Sequence, residues 1–126
     1  SSAASDVYKR QYLHVTCGDR TLLRRRGEGD IWQGLYEFPM IETDRAADFS
    51  ELTDSEEFRT LLGGVEWRLL RSVAMPKHQL SHQTLHAVFH CIEIFSPVDF
   101  PSVPTATLGD YAVPRLIDRY LIKYQI

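Results

Sequence analysis

The stretch Asp30-Ile31-Trp32-Gln33-Gly34-Leu35-Tyr36-Glu37-Phe38-Pro39 decides the fold of this chain. Its large apolar side chains are typical of a buried core: Trp32, Leu35 and Phe38. Gly34 permits a bend or a close backbone approach, and Pro39 ends a strand because its ring nitrogen carries no hydrogen. The stretch therefore predicts a buried strand over Ile31–Phe38.

A second stretch, His78-Gln79-Leu80-Ser81-His82, stands at the head of a long apolar segment. Some of its apolar positions fit helical spacing: Leu85, Val88, Phe89, Ile92 and Phe95. Others alternate as in a strand: Leu85, Ala87, Phe89 and Cys91. Valine, phenylalanine and isoleucine are dense in this segment, which favours a strand. We therefore predict one long strand over Leu80–Phe95.

Four histidines recur every four residues in this region: His78, His82, His86 and His90. On a helix, neighbours in such a series lie about 6 Å apart along the axis, and two of them could share a zinc ion. On a strand, the same step covers roughly 13 Å, and no pair reaches one ion. The strand prediction therefore argues against a metal site, and we expect His86 and His90 to line a sheet face.

The remaining elements follow from alternation, helical spacing and capping signals. They are a strand Val7–Cys17, a turn Gly18–Arg20, a strand Thr21–Arg26, an irregular polar segment Asp44–Asp54, a helix Ser55–Leu62, a strand Val65–Met75, a loop Phe100–Pro104 and a helix Pro114–Lys123. This pattern is typical of an α+β fold, a mixed β-sheet with two or so packed helices. For 126 residues we expect a disordered tail or linker remnant over 1–6 and a single domain over 7–126.

The composition excludes several classes of protein. With 44% hydrophobic and 11% aromatic residues the chain is globular, and no apolar run approaches the roughly 20 residues that cross a bilayer. Cys17 and Cys91 are expected to be free, buried thiols in a reducing compartment, and two cysteines cannot hold an iron–sulfur cluster. The net charge is −3, and the local concentrations of positive charge are Arg24-Arg25-Arg26 and Lys77 with His78, which predicts weak DNA binding by the chain alone.

In this order and spacing, the two stretches resemble the C-terminal, Nudix-like domain of the MutY adenine DNA glycosylases. That domain carries a Gly/Asp-Ile-Trp-x-Gly-Leu-x-x-Phe-Pro pattern, and a His-x-Phe-Ser-His-like loop before a long strand. The resemblance extends from Leu22–Arg26 to the closing segment Tyr111–Ile117. One position departs from the pattern, because Leu80 stands where the family usually has phenylalanine.

The resemblance implies a DNA-lesion recognition domain that helps find 8-oxoguanine opposite adenine in double-stranded DNA during base excision repair. It implies that this domain alone is not an enzyme and holds no catalytic residue, metal or cofactor. Hydrolysis of the N-glycosidic bond and an iron–sulfur cluster would belong to the N-terminal glycosylase domain of the same protein, which would be its partner. The implied setting is a monomeric protein in the bacterial cytoplasm, on nucleoid DNA and away from membranes.

The resemblance also assigns the DNA-contacting residues. 8-Oxoguanine differs from guanine by a carbonyl at position 8 and a hydrogen on N7, so its reader needs a donor for O8 or an acceptor for N7–H. A serine hydroxyl can do either, which makes Ser81 the candidate for that contact. The remaining expected contacts with the lesion and its phosphates come from Leu80, His82, His78 and Lys77.

The alternative is a stand-alone Nudix nucleotide pyrophosphatase. Such an enzyme needs glutamates in the order Arg-Glu-x-x-Glu-Glu on a helix, because magnesium requires several converging oxygen ligands. After Pro39, the acidic helix candidate is residues 55–62, whose Glu56 and Glu57 point in adjacent directions and precede Arg59. Two acids in the first helical turn suit the helix dipole equally well, so the sequence favours the recognition domain.

Overall fold

A computed structural model of the chain describes residues 7–27, 34–43, 48–76, 78–79 and 84–123. Nine strands and three α-helices occur in this part. The strands are β1 (Val7–Cys17), β2 (Arg20–Leu22), β3 (Arg24–Arg25), β4 (Tyr36–Glu37), β5 (Met40–Thr43), β6 (Trp67–Ala74), β7 (His78–Gln79), β8 (Thr84–Ile94) and β9 (Ser102–Pro104). The helices are α1 (Phe49–Thr53), α2 (Glu56–Leu62) and α3 (Arg115–Lys123), and a 3-10 helix spans Thr105–Asp110.

The centre of the main sheet is the parallel pair β1–β8, in the strand order β6-β8-β1-β2-β9. Because β8 occupies one edge of β1, two strands share the other edge: β5 pairs with residues 9–12 and β2 with residues 16–17. Between them, the Leu13 amide donates to the Pro39 carbonyl over 2.8 Å. The sheet is therefore split along one edge of its central strand.

Helices cover both faces of the sheet, so the central strands are apolar on both sides. On one face, α1 and α2 pack on a cluster that includes Leu13, Val15, Ile41, Leu52, Phe58, Leu62 and Ile92. On the other face, α3 packs on a cluster that includes Tyr12, Phe38, Phe89, Cys91, Ile117 and Tyr120. The predicted mixed sheet with packed helices, an α+β fold, is confirmed.

Several element predictions are confirmed. β1 has the predicted bounds, and α2 begins after Ser55, whose hydroxyl accepts a hydrogen bond from the Phe58 amide over 3.2 Å. The long apolar segment forms the strand β8, although residues 80–83 of the predicted Leu80–Phe95 lie outside the described residues.

Other element predictions are wrong. The described part of the segment predicted to be irregular contains α1, which begins because the Asp48 carboxylate caps it and accepts from the Glu51 amide. The predicted loop Phe100–Pro104 contains β9, which pairs with β2. The predicted strand Thr21–Arg26 is interrupted at Leu23, whose amide donates to the Pro101 carbonyl. Of the predicted strand Ile31–Phe38, residues 31–33 lie outside the described residues, and β4 covers Tyr36–Glu37 of the rest.

The strand β6 forms one end of the strand order and pairs only with β8 there. Its register shifts between Leu69 and Arg71, and the side chain of the intervening Leu70 is 50% exposed. In the part of the chain described, no helix is both long and apolar enough to span a membrane.

Candidate functional site

The structure fixes the frame of the predicted recognition segment but not its side chains. Lys77, Leu80, Ser81 and His82 lie outside the described residues, and for His78 only the strand pairing is described. β7 pairs antiparallel with β8, with His78 opposite Leu85 and Gln79 opposite Thr84. β7 and β8 are therefore the two strands of a hairpin. Residues 80–83 lie outside the described residues, and their contact with DNA stays a prediction.

This hairpin lies at the end of the sheet where β1 begins. Val7 is the Cα partner of Thr84, and Lys9 is the partner of both His86 and Thr43. The starts of β1 and β8 and the end of β5 therefore meet at one end of the sheet. Residue 7, where β1 begins, therefore lies beside the start of β8, to which β7 pairs.

Both predicted histidines of the long segment lie on the strand β8, and the buried His90 is held by polar partners. His90 is 4% exposed, its Nε2 lies 2.8 Å from the Gln11 side-chain oxygen, and its Nδ1 lies 2.7 Å from the Ser72 hydroxyl. Burial lowers the pKa of His90 from 6.5 to about 4, so the ring is neutral near pH 7. His86 is half-buried.

A second buried histidine, His14, belongs to a buried polar cluster that the sequence did not predict. Its Nδ1 lies 2.7 Å from the Tyr120 hydroxyl, which is itself 2.9 Å from the Cys91 sulfur. Burial and then the positive charge of Arg71 lower the pKa of His14 to about 4. These partners are 77 and 106 residues away in sequence, so no local pattern could have identified the cluster.

The run Arg24-Arg25-Arg26 is neutralised in part by a carboxylate of the first motif. Glu37 is only 2% exposed and forms an ion pair with Arg26, and the Arg24 Nη2 lies 3.6 Å from its Oε2. The guanidinium of Arg24 also lies 5.8 Å from the Phe100 ring centroid. Two of the three arginines therefore bind a buried carboxylate of β4, so part of the charge of this run has a structural role.

A cavity of about 500 Å³ opens where the sheet is split. Its floor is apolar and its rim is charged. The lining residues are Leu13, Arg24, Pro39, Met40, Ile41, Glu56, Glu57, Thr60, Leu61, Asp99 and Phe100. The sequence interpretation did not place a binding site there, because the cavity joins β1, β5, α2 and the segment before β9, which are distant in sequence.

Comparisons with known proteins agree on the fold. The sequence profile described as "NUDIX domain" matches residues 11–123. A MutT protein from Methanosarcina mazei has a similar structure, with a TM-score of 0.66 and 13% identity, covering 97% of this chain and 98% of that chain. The Nudix hydrolase RenU from M. smegmatis has a TM-score of 0.61 and 10% identity, covering 94% and 88%. At such identities the structural similarity establishes the fold alone. The comparison with curated protein sequences finds no match.

Proposed function

Since the chain belongs to the NUDIX domain family, we propose that it is the lesion-recognition domain of a MutY-type adenine DNA glycosylase. In that role it helps recognise 8-oxoguanine opposite adenine during base excision repair. The observation that carries the proposal is the position of the β7–β8 hairpin. A glycosylase domain that preceded β1 would stand at the end of the sheet where β7 pairs with the start of β8.

The proposed recognition chemistry rests on the edge of the oxidised base. The Ser81 hydroxyl accepts a hydrogen bond from N7–H or donates one to O8 of 8-oxoguanine. Guanine has no hydrogen on N7 and no oxygen at position 8, so it makes neither contact. Leu80 supplies an apolar contact, and Lys77, His78 and His82 hold the phosphates around the lesion. The partners in this proposal are the lesion-bearing duplex and the glycosylase domain, and the iron–sulfur cluster belongs to the latter, in the bacterial cytoplasm.

The test compares Ser81→Ala with Ser96→Ala in binding to duplexes that contain adenine opposite 8-oxoguanine or opposite guanine. Ser96 is exposed and follows the opposite end of β8, so its variant removes a hydroxyl without touching the hairpin. A base-edge contact contributes about 1–3 kcal/mol of discrimination, so Ser81→Ala should reduce the preference at least about fivefold. Equal preference in both variants would refute the assignment of Ser81. The measurement needs low salt because the chain alone has a net charge of −3.

A second candidate function is nucleotide pyrophosphate hydrolysis, which the cavity beside α2 favours because acidic side chains line it. The residues present do not fit the magnesium site of that reaction. Glu56 and Glu57 are adjacent on a helix, so their side chains diverge by about 100°, and the described residues contain no set of three His, Cys, Asp or Glu placed to hold a metal ion. Incubation with 8-oxo-dGTP and magnesium tests this candidate, and release of pyrophosphate would establish it.

A further inference from the structure

We propose that the cavity beside α2 binds an elongated organic cation, an ammonium or guanidinium group on an alkyl stem. The cavity exists because β2 and β5 divide along the edge of β1, which leaves Leu13 beside the Pro39 carbonyl instead of a full neighbouring strand. The helix α2 and the segment before β9 form its walls. A volume of about 500 Å³ is within the range of small-molecule sites.

The floor of the cavity suits an apolar stem. It is formed by aliphatic and aromatic groups: Leu13, Pro39, Met40, Ile41, Leu61 and Phe100. Leu13 and Ile41 belong to the buried cluster under α2, so this floor is a continuation of the core. A chain of methylene groups placed on it removes apolar surface from water, which an inorganic ion cannot do.

The rim of the cavity suits a cation. Three carboxylates, Glu56, Glu57 and Asp99, stand against one guanidinium, that of Arg24. None of the three carboxylates has an ion-pair partner among the described residues, whereas Arg24 is shared with Glu37 and Phe100. Among the described residues, the uncompensated charge of the rim is therefore negative, which attracts cations and repels phosphate groups.

An organic cation can bind the carboxylates of this rim more readily than a metal ion can. Divalent metals need several oxygen ligands at fixed distances, and the two adjacent glutamates of α2 diverge. An ammonium or guanidinium group carries three or five hydrogens and can donate to carboxylates that lie on different walls. Two sources offer this chemistry, a free polyamine or a Lys or Arg side chain of a partner protein.

The test is a titration of the isotopically labelled chain followed by two-dimensional amide NMR. Agmatine is the probe, and 1,4-butanediol, which has the same four-carbon stem without charge, is its control. We expect agmatine to shift the amides of residues that line the cavity, and butanediol to shift them much less. Equal shifts with both probes, or no shift with agmatine, would overturn the proposal.

Variants locate the binding. The double variant Glu56→Gln/Glu57→Gln should weaken agmatine binding about fivefold, since exposed ion pairs contribute modestly. The double variant Glu66→Gln/Asp118→Asn, which also removes two exposed negative charges but outside the cavity lining, is the matched control and should bind as the natural chain does. Equal weakening in both variants would show that the attraction is general rather than local.

Two further titrations separate the sources and the competing idea. If N-acetyl-lysine methylamide produces the same amide shifts as agmatine, the cavity binds a Lys or Arg side chain of a partner protein. If only agmatine produces shifts, the ligand is a free polyamine. If magnesium chloride shifts the amide resonances of the cavity residues and displaces agmatine, the site binds a metal ion and the proposal is overturned. The outcome for Ser81→Ala in DNA binding is independent of all these titrations, so failure of this inference and failure of the recognition proposal are distinguishable.

Discussion

Acidification should destabilise this domain because two buried histidines are neutral in the folded state. The pKa of His14 and the pKa of His90 are each lowered to about 4, whereas histidine in an unfolded chain titrates near 6.5. Between these values the unfolded chain binds more protons than the folded one. Stability therefore falls as the pH falls from about 6.5 to about 4.

The magnitude follows from the two pKa values. At pH 5 the unfolded histidine is almost fully protonated and the folded one is not, which costs about 2 kcal/mol per histidine relative to pH 7. His14 and His90 together lower the free energy of unfolding by about 4 kcal/mol at pH 5. Since domains of this size are stable by about 5–15 kcal/mol, the loss is a large share of the total.

Urea denaturation at pH 7, 6 and 5 measures this loss, with the fluorescence of Trp67, which packs against Phe49 and Phe58, as the signal. His90→Gln is the matched variant because an amide can still hydrogen-bond to Gln11 and Ser72. Between pH 7 and pH 5, the free energy of unfolding of His90→Gln should fall by about half as much as that of the natural chain. The histidine explanation is refuted if the free energy of unfolding of the natural chain falls by less than about 1 kcal/mol between pH 7 and pH 5. It is also refuted if His90→Gln loses as much free energy of unfolding over this range as the natural chain does.

Three further variants test the packing and capping seen in the fold. Phe89→Ala should lower the free energy of unfolding by about 3–5 kcal/mol in urea denaturation, because the ring stacks at 4.0 Å from Tyr120 in the core; a loss below about 1 kcal/mol would contradict that packing. Ser55→Ala should cost about 1 kcal/mol in the same assay through loss of the α2 cap, and the absence of any change would show that the cap contributes nothing. Glu37→Gln should cost about 3 kcal/mol, because it leaves Arg26 without its buried carboxylate; a fully retained thermal midpoint would refute the role of this ion pair.

The elements that were predicted correctly are those with a long or local signal. β1 and β8 each have eleven residues, enough for alternation and β-branched density to identify a strand. The helix α2 ends at Gly63, as its sequence indicates, whereas its cap is Ser55, which the prediction placed as the first helical residue. Such signals depend on neighbouring residues alone.

The elements that were missed depend on distant partners. The three-residue strand β9 exists because β2 pairs with it some eighty residues away in sequence, and α1 is too short for a helical period to be visible. The His14–Tyr120–Cys91 cluster and the cavity beside α2 likewise join residues that only the fold brings together. For the recognition segment, sequence remains the source of the assignment of Ser81.

The irregularity in β6 has a consequence for the behaviour of the chain in concentrated solution. A straight terminal strand offers a row of free amides and carbonyls on which another copy can add, and this is how ordered aggregates begin. The shift at Leu70, which is followed by Arg71, interrupts that row and makes a second strand fit poorly. The feature thus protects the molecule from stacking edge to edge, despite an exposed leucine at the same place.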